Sequence, residues 1–214
     1  MKAIASRLDD LALLGVTIAG LVIFIAPLAA GSVFPQTEVL LTALIACAAL
    51  AVMALALQTH RLSTRLLAVL AALVAVDATL RLVIVIGLLG FSPIFFLMIV
   101  GGYVMGPSFG FALGSLTLLL SAVLTAGFGP WLPYQMLASG WVGMGAGYLG
   151  QLLKAPTLTL PQRGRGFGNR EIVALAAYGC AAGFAYGALL DLWEWPFLLG
   201  TASPISWEIG RAHV

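Results

Sequence analysis

The sequence predicts an all-α integral membrane protein with about seven transmembrane helices. Hydrophobic side chains make up 62% of the 214 residues and charged ones 8%, whereas soluble proteins carry about 25% charged residues. The mean hydropathy is correspondingly high, at +1.09. The apolar residues fall in long runs, as a helix needs in order to cross about 30 Å of hydrocarbon. These observations argue against a soluble domain, and the net charge of +2 is too small to indicate a nucleic-acid partner.

Seven apolar stretches are the candidate helices. Most reach the length of about 20 residues that a bilayer requires, and the fourth is shorter. A tight turn is predicted after the fourth stretch, at Gly106 and Pro107, because proline suits the first turn of a following helix. The stretches run from about Leu11 to Ala30, Glu38 to Leu57, Leu66 to Gly90, Pro93 to Met105, Ser108 to Gly127, Tyr134 to Leu153 and Glu171 to Leu192.

The basic residues predict the orientation. Lys2 and Arg7 precede the first stretch, Arg61 and Arg65 follow the second, and a further basic group lies in the polar link at 154–170. All three groups fall on one side if every stretch crosses the membrane. Because lysine and arginine accumulate on the cytoplasmic side, we expect a cytoplasmic N-terminus. The link at 128–133 would then face outward.

The last seven residues do not fit the pattern of the rest of the chain. Glu208–Val214, with the sequence EIGRAHV, is what one reading frame of a common sequencing adapter encodes. We interpret it as an assembly artefact, and the alternative is an ordinary polar tail. An artefact would mean that the native sequence stops near Trp207 and that at least one further helix is missing.

The sequence offers little material for catalysis. It contains two histidines and no HExxH, CxxC or paired-carboxylate motif, which are the patterns typical of metal and acid–base sites. We therefore expect no enzyme activity, no metal and no cofactor.

Asp77 and Arg81 are ionisable residues within the third stretch. They stand four apart, so they can meet on one helix face, and each is costly inside a bilayer. Two interpretations stay open. Either the residues anchor a polar ligand in the outer half of the membrane, or they form a self-neutralising pair whose side chains reach toward the surface.

The outward link before the sixth stretch is the most informative segment. With its flanking residues it forms the segment Gly127–Gln135, whose two prolines and two glycines predict a rigid, non-helical connection that presents Trp131, Tyr134 and Gln135. Aromatic rings with one amide can form a platform for an uncharged ligand, or they can form an interfacial aromatic belt. The same two alternatives apply to Asp191 and Trp193 at the outer end of the seventh stretch.

Small residues recur on the third stretch at a spacing of four. The pairs are Ala68 with Ala72 and Ala71 with Ala75. Such faces allow helix backbones to approach closely in membranes. The signal is weak on its own, because alanine is common in this chain.

Three segments together resemble the substrate-binding S component of energy-coupling factor (ECF) vitamin transporters. They are Gly106–Gly114 (GPSFGFALG), Gly129–Ala138 (GPWLPYQMLA) and Trp141–Gly147 (WVGMGAG). A G-P-x-x-G-x-x-x-G turn between the second and third core helices is typical of that family. A glycine-rich fourth core helix after a proline-containing outer loop is typical as well. The similarity covers about Thr64 to Phe197.

The resemblance implies a division of the chain. The family core has six helices, so the third stretch would be core helix one and the seventh core helix five. The last core helix would be missing. The implied domains are an N-terminal two-helix extension at 1–63, an S-component-like core at 64–207 and the suspected artefact at 208–214. The implied location is the bacterial cytoplasmic membrane.

The resemblance also implies a function without catalysis. An S component captures a vitamin from outside, and topples in the membrane when a transmembrane T component and two cytoplasmic ABC-type ATPases bind. ATP would be used by those partners, since this chain has no Walker A motif. The implied docking face for the T component is Ala68, Ala71, Ala72 and Ala75. The candidate substrate-binding residues are Arg81, Trp131, Tyr134, Gln135, Asp191 and Trp193.

The identity of the vitamin stays open. The extra N-terminal helices and the GPWLPYQMLA segment look most similar to S components proposed for cobalamin, so a corrinoid is our first expectation, with riboflavin or a thiamine precursor as alternatives. The rival functions are a stand-alone secondary carrier or channel, a structural or assembly protein without a ligand, and a membrane enzyme.

Overall fold

All regular structure in the described residues is α-helix. The structure is a computed structural model that describes residues 11, 13–15, 17–22, 24, 64–85, 94–129, 131–153 and 168–200, without the side chains of 82–85 and 192–200. The described residues between Leu11 and Phe24 are helical and are called the N-terminal segment here. The other helices are α1 (Thr64–Val85), α2 (Ile94–Met105), α3 (Pro107–Thr125), α4 (Leu132–Leu153) and α5 (Asn169–Gly200).

Helices α1 to α5 correspond to the third to seventh apolar stretches. Their limits agree with the predicted ones within a few residues, apart from the ends of α1 and α5. Helix α1 is described as far as Val85, and its predicted limit at Gly90 lies outside the described residues, whereas α5 continues to Gly200, past the predicted end at Leu192. The second predicted stretch, most of the 154–170 link and the suspected artefact lie outside the described residues.

The predicted turn between α2 and α3 is present. Helix α2 ends at Met105 and α3 begins at Pro107, with Gly106 alone between them. Gly106 has a φ of +104°, a conformation that costs little only for glycine. The Gly110 N–H donates to the Gly106 carbonyl oxygen at 3.0 Å. Glycine and proline therefore reverse the chain within one residue.

A contact between glycines, called the glycine seam here, joins α2, α3 and α4. It consists of Gly102 on α2, Gly110 and Gly114 on α3, and Gly143 and Gly147 on α4. A Cβ atom added to Gly110 or to Gly102 would overlap the carbonyl group of Gly143. The three backbones are thus in direct contact, which small residues make possible.

The contacts also define two ends of the helical bundle. Gly110 faces Gly143 and Gly114 faces Ser139, so α3 and α4 run antiparallel. Arg81 on α1 contacts Ser121 on α3, near the C-terminal ends of both helices. We call this end, which also holds the start of α4, the Trp131 end, and the opposite end the Gly106 end.

Helices α1 and α5 flank this centre. Leu70 and Val74 of α1 pack in one buried cluster with Phe109 and Leu113 of α3. Helix α5 contacts α2 and α4 through a smaller set of residues, which includes the aromatic side chains of Phe95, Tyr178 and Tyr186. At the Gly106 end, the Tyr103 hydroxyl donates to Glu171 Oε1 at 2.7 Å and joins α2 to α5.

Two helices are long and apolar enough to cross a membrane, Pro107–Thr125 and Asn169–Asp191. Within the most apolar 18-residue segment of each helix, the share buried inside the protein is 61% for the first helix and only 6% for the second. The second helix consequently exposes large apolar side chains, including Ile172, Val173 and Phe184. An exposed apolar surface of this kind marks a contact with lipid or with a partner, so both features support membrane association.

Candidate ligand-binding groove

A groove of about 290 Å³ lies between α4 and α5. Its aromatic lining is formed by Trp141 on α4 and by Tyr178 and Tyr186 on α5. The two tyrosines are eight residues apart, slightly more than two helical turns, and therefore share a face. Alanines fill the positions between them, and their short side chains leave space between the helices. The remaining lining residues are Ala138, Val142, Ala181, Ala182, Ala185 and Leu189.

The polar groups of the groove differ in their hydrogen bonding. The Tyr178 hydroxyl donates to the Val142 carbonyl oxygen at 2.7 Å, which fixes α5 against α4. The Trp141 indole N–H is buried and has no hydrogen-bond partner among the described residues. The Tyr186 hydroxyl lies near the Ser139 hydroxyl of α4.

Arg81 does not form the predicted pair with Asp77. Its Nη1 atom donates to Ser121 Oγ of α3 at 3.2 Å, whereas both carboxylate oxygens of Asp77 lack a hydrogen-bond partner. Asp77 is 0% exposed, so the interpretation of a pair whose side chains both reach the surface is wrong for this residue. It lies about one helical turn before Arg81 on α1.

Thr117 of α3 faces Asp77 across this contact. Its hydroxyl is buried and has no hydrogen bond of standard geometry, and the same is true of Ser139. A buried polar group without a partner costs about 1–3 kcal/mol. The Trp131 end of the bundle thus holds several unsatisfied polar groups, whereas apolar residues and glycines dominate the centre.

The structure brings the predicted binding residues to the same end of the bundle but changes the role of two. Trp131 precedes α4 and is 43% exposed, as expected of a platform, whereas Tyr134 is only 4% exposed. Tyr134 and Gln135 belong to the first turn of α4, which agrees with the predicted start of the sixth stretch at Tyr134 and not with a non-helical connection that reaches Gln135. Pro133 does not prevent this helix start, because the first turn needs no N–H donor there.

The remaining predicted residues are placed as follows. Asp191 is exposed near the Trp131 end of α5. Trp193 belongs to the same helix, but its side chain lies outside the described part. The predicted docking residues Ala68, Ala71, Ala72 and Ala75 are all exposed on α1. This face is therefore not covered by any other described segment.

Sequence reasoning missed the three aromatic residues of the groove. Trp141 was noted only as part of a glycine-rich motif, and neither Tyr178 nor Tyr186 was considered. Their spacing of eight within an alanine-rich helix is the signal that could have revealed a shared face. The first predicted stretch was not expected to contact the groove, but its Phe24 lies 5.6 Å from Trp141, measured between ring centroids.

Searches for groups of acidic, histidine and cysteine residues that could hold a metal ion found none within the described ranges. Comparisons of the chain with protein-family models, with curated proteins and with solved structures gave no match.

Proposed function

We propose that this chain is a membrane-embedded substrate-binding protein, and more specifically the S component of an ATP-driven ECF vitamin importer. The carrying observation is the groove between α4 and α5, whose lining is mostly apolar and aromatic and includes Trp141, whose buried N–H has no hydrogen-bond partner among the described residues. Small-molecule sites have this character, a mostly apolar cleft with a few polar groups. The groove extends from the middle of α4 toward the end that the basic residues predict to face outward, so a ligand would enter from outside.

Two further features favour an S component over other binding proteins. The glycines of the G-P-x-x-G-x-x-x-G motif, which carries the resemblance, form the tight turn and the close helix contacts of α3. The alanine face of α1 is exposed, and small residues at an exposed helix face suit a close approach by a second membrane protein. In this proposal the second protein is the T component, and the two cytoplasmic ATPases supply the energy.

The size of the groove bears on the substrate. A volume of about 290 Å³ lies at the lower limit of pockets for drug-sized ligands. A corrinoid is much larger than such a ligand and would need the two helices to separate. The groove in this conformation therefore favours riboflavin or a thiamine precursor over our first expectation of a corrinoid.

The proposal is tested by thermal unfolding of the purified chain in detergent with a vitamin panel that includes cobalamin, riboflavin and thiamine. A ligand that binds only the folded state stabilises it by about 2.7 kcal/mol at one hundred times its Kd. We expect stabilisation by one vitamin and its loss in Tyr186→Ala, with the exposed Phe184→Ala as the matched control. A panel without any effect would contradict the binding role.

The importer assignment needs a separate measurement. Ala72→Leu should reduce co-purification with a T component while vitamin binding persists, and Ala176→Leu, at an exposed position of α5, is the control. Vitamin uptake by vesicles that contain this chain alone, without ATPases, would instead support a secondary carrier.

A further inference from the structure

Contacts with neighbouring groups hold the aromatic side chains of the groove in place. Phe24 of the N-terminal segment meets the Trp141 ring, with 5.6 Å between the ring centroids. Phe95 of α2 meets the Tyr186 ring edge to face, with 5.0 Å between the ring centroids. The Tyr178 hydroxyl is held by a backbone carbonyl of α4. Because these rings are positioned before a ligand arrives, a ligand that contacts them loses little affinity to their ordering.

Alanines keep the groove open between the rings. Ala138 of α4 and Ala182 of α5 are buried, whereas Ala181 and Ala185 of α5 line the groove and are exposed. The groove therefore opens along the side of α5 that carries Ala181 and Ala185. A longer side chain at either position would fill the space that a ligand needs.

The lining of the groove carries no charged side chain. Its nine residues are four alanines, three aromatic residues, Val142 and Leu189. Helix α4, which forms one wall, has no acidic or basic residue along its whole length. Arg81 belongs to α1, which contributes no residue to the lining.

The charged residues of α5 lie away from the lining. Arg170 and Glu194 lie beyond its two ends, and the Glu171 carboxylate accepts hydrogen bonds at the Gly106 end. Asp191 is exposed and follows the last lining residue, Leu189, by two positions, which do not face each other on a helix. An ion in the groove would thus meet no opposite charge in the lining, and burial of an unpaired ion is strongly unfavourable.

We propose that the groove selects an uncharged ligand with a flat aromatic ring system and rejects charged counterparts of the same ring. This inference rests on the proposed binding function and names the chemical class of the ligand. The aromatic walls favour contact with a second aromatic ring, whereas an ion would lose its hydration without gaining an opposite charge. Riboflavin meets this requirement at neutral pH, and thiamine, a cation, does not.

The test compares compounds that share a ring and differ in charge. Nicotinamide is neutral, nicotinate is an anion and 1-methylnicotinamide is a cation, and riboflavin is compared with riboflavin 5′-phosphate. Binding to the full chain in detergent is measured by calorimetry and by thermal unfolding. We expect the neutral compound of at least one set to bind about tenfold or more tightly than its charged counterparts.

Substitutions at Ala185 locate the selection in the groove. Ala185→Arg places a positive charge in the lining and should raise the affinity for the anion about tenfold relative to the neutral compound. Ala185→Leu fills the groove without a charge and should weaken binding of the neutral compound about tenfold or more. Ala176→Arg and Ala176→Leu, at an exposed position of α5 outside the lining, are the matched controls and should change neither affinity. If Ala185→Arg does not fold, Ala181→Arg replaces it, and the comparison of compounds on the unmodified chain needs no variant.

Equal or tighter binding of the charged compounds would overturn the inference and leave the proposed binding function intact. A vitamin panel in which only thiamine or only cobalamin stabilises the protein would do the same. A neutral preference that Ala185→Leu leaves unchanged would overturn the inference as well, because the ligand would then bind elsewhere.

A lipid chain is the rival occupant of an apolar groove in a membrane protein, and decanol is the probe for it. Binding of decanol without binding of any ring compound would overturn the inference, because the groove would then hold an alkyl chain. Absence of binding by every ring compound and by the vitamin panel would reject both proposals together.

Discussion

Phe24 meets Tyr134 edge to face, with 5.1 Å between the ring centroids and an angle of 85° between the ring planes. The contact joins the N-terminal segment to the first turn of α4. The same phenylalanine contacts Trp141, which lines the groove. The N-terminal segment, whose role the sequence left open, therefore supports the α4 wall of the candidate site.

Phe24→Ala should lower both stability and ligand affinity, because it removes two aromatic contacts and the support of Trp141. An aromatic pair contributes about 0.5–1.5 kcal/mol beyond its buried area, so we expect a loss of at least about 1 kcal/mol. The measurement is thermal unfolding in detergent, with and without ligand. Ile18→Ala is the matched control, since Ile18 is an exposed residue of the same segment. Equal effects of Phe24→Ala and Ile18→Ala would show that the N-terminal segment does not support the candidate site.

Gly143→Ala should disrupt the bundle. The added methyl group would overlap the Gly110 backbone, and overpacking of this kind costs about 1–3 kcal/mol or more. Gly183→Ala is the control, because a Cβ at Gly183 meets no atom within 4 Å. That substitution should be neutral or stabilising by up to about 1 kcal/mol, given the higher helix propensity of alanine. We would compare the two variants by their yield of folded protein in size-exclusion chromatography. Similar yields would show that the glycine seam tolerates a side chain.

Replacing Asp77 and Thr117 together should stabilise the protein. Both side chains are buried, face each other and have no hydrogen bond of standard geometry within the described part of the chain, and replacing two such groups by apolar ones of similar shape is neutral or favourable. We expect Asp77→Leu combined with Thr117→Val to raise the free energy of unfolding by about 1–3 kcal/mol. Asp191→Asn, at an exposed position, should leave it unchanged. A loss of stability in the double variant would indicate that Asp77 has a partner in the native protein.

Glu171→Ala should weaken the attachment of α5 at the Gly106 end. Its carboxylate accepts hydrogen bonds from the Tyr103 hydroxyl at 2.7 Å and from the Gly168 N–H at 2.9 Å. Hydrogen bonds to a charged group contribute about 1.5–3 kcal/mol, so the loss should be of this size. Tyr103→Phe removes one of the two bonds and should cost less. Arg170→Ala, beside Glu171 but exposed, is the control, and a loss of the same size there would contradict the role of Glu171.

Helices α1 to α5 could be predicted from the sequence because a long apolar run is a local property. Prolines and glycines at the ends of the runs marked the limits of α2 and α3 within two residues. The end of α5 was placed too early, at Leu192, since Asp191 and Trp193 were interpreted as the outer end of the stretch. No glycine or asparagine stops the helix there, and the following residues are again mostly apolar.

The candidate site could be predicted only in part. The order of the helices predicts that Arg81, Trp131 and Asp191 lie near one end of the bundle, but it does not predict the groove between α4 and α5. The partner of Arg81 could not be found in this way, since Ser121 is forty residues distant. A helical spacing of four suggested Asp77 instead, but packing against α3 turns Asp77 inward and leaves Arg81 free to bond across the helices.

The glycine seam and the sparse packing of α5 have a mechanical consequence. Backbones in direct contact have no side chains that could change rotamer, so α2, α3 and α4 must move as one body. Helix α5 is held by aromatic contacts along its length and by Glu171 at the Gly106 end. A tilt of α5 about this attachment would widen the groove at the Trp131 end while the opposite wall stays fixed. Ligand residence time would then be set by the rate of this tilt, and the Tyr103–Glu171 contact would act as its hinge.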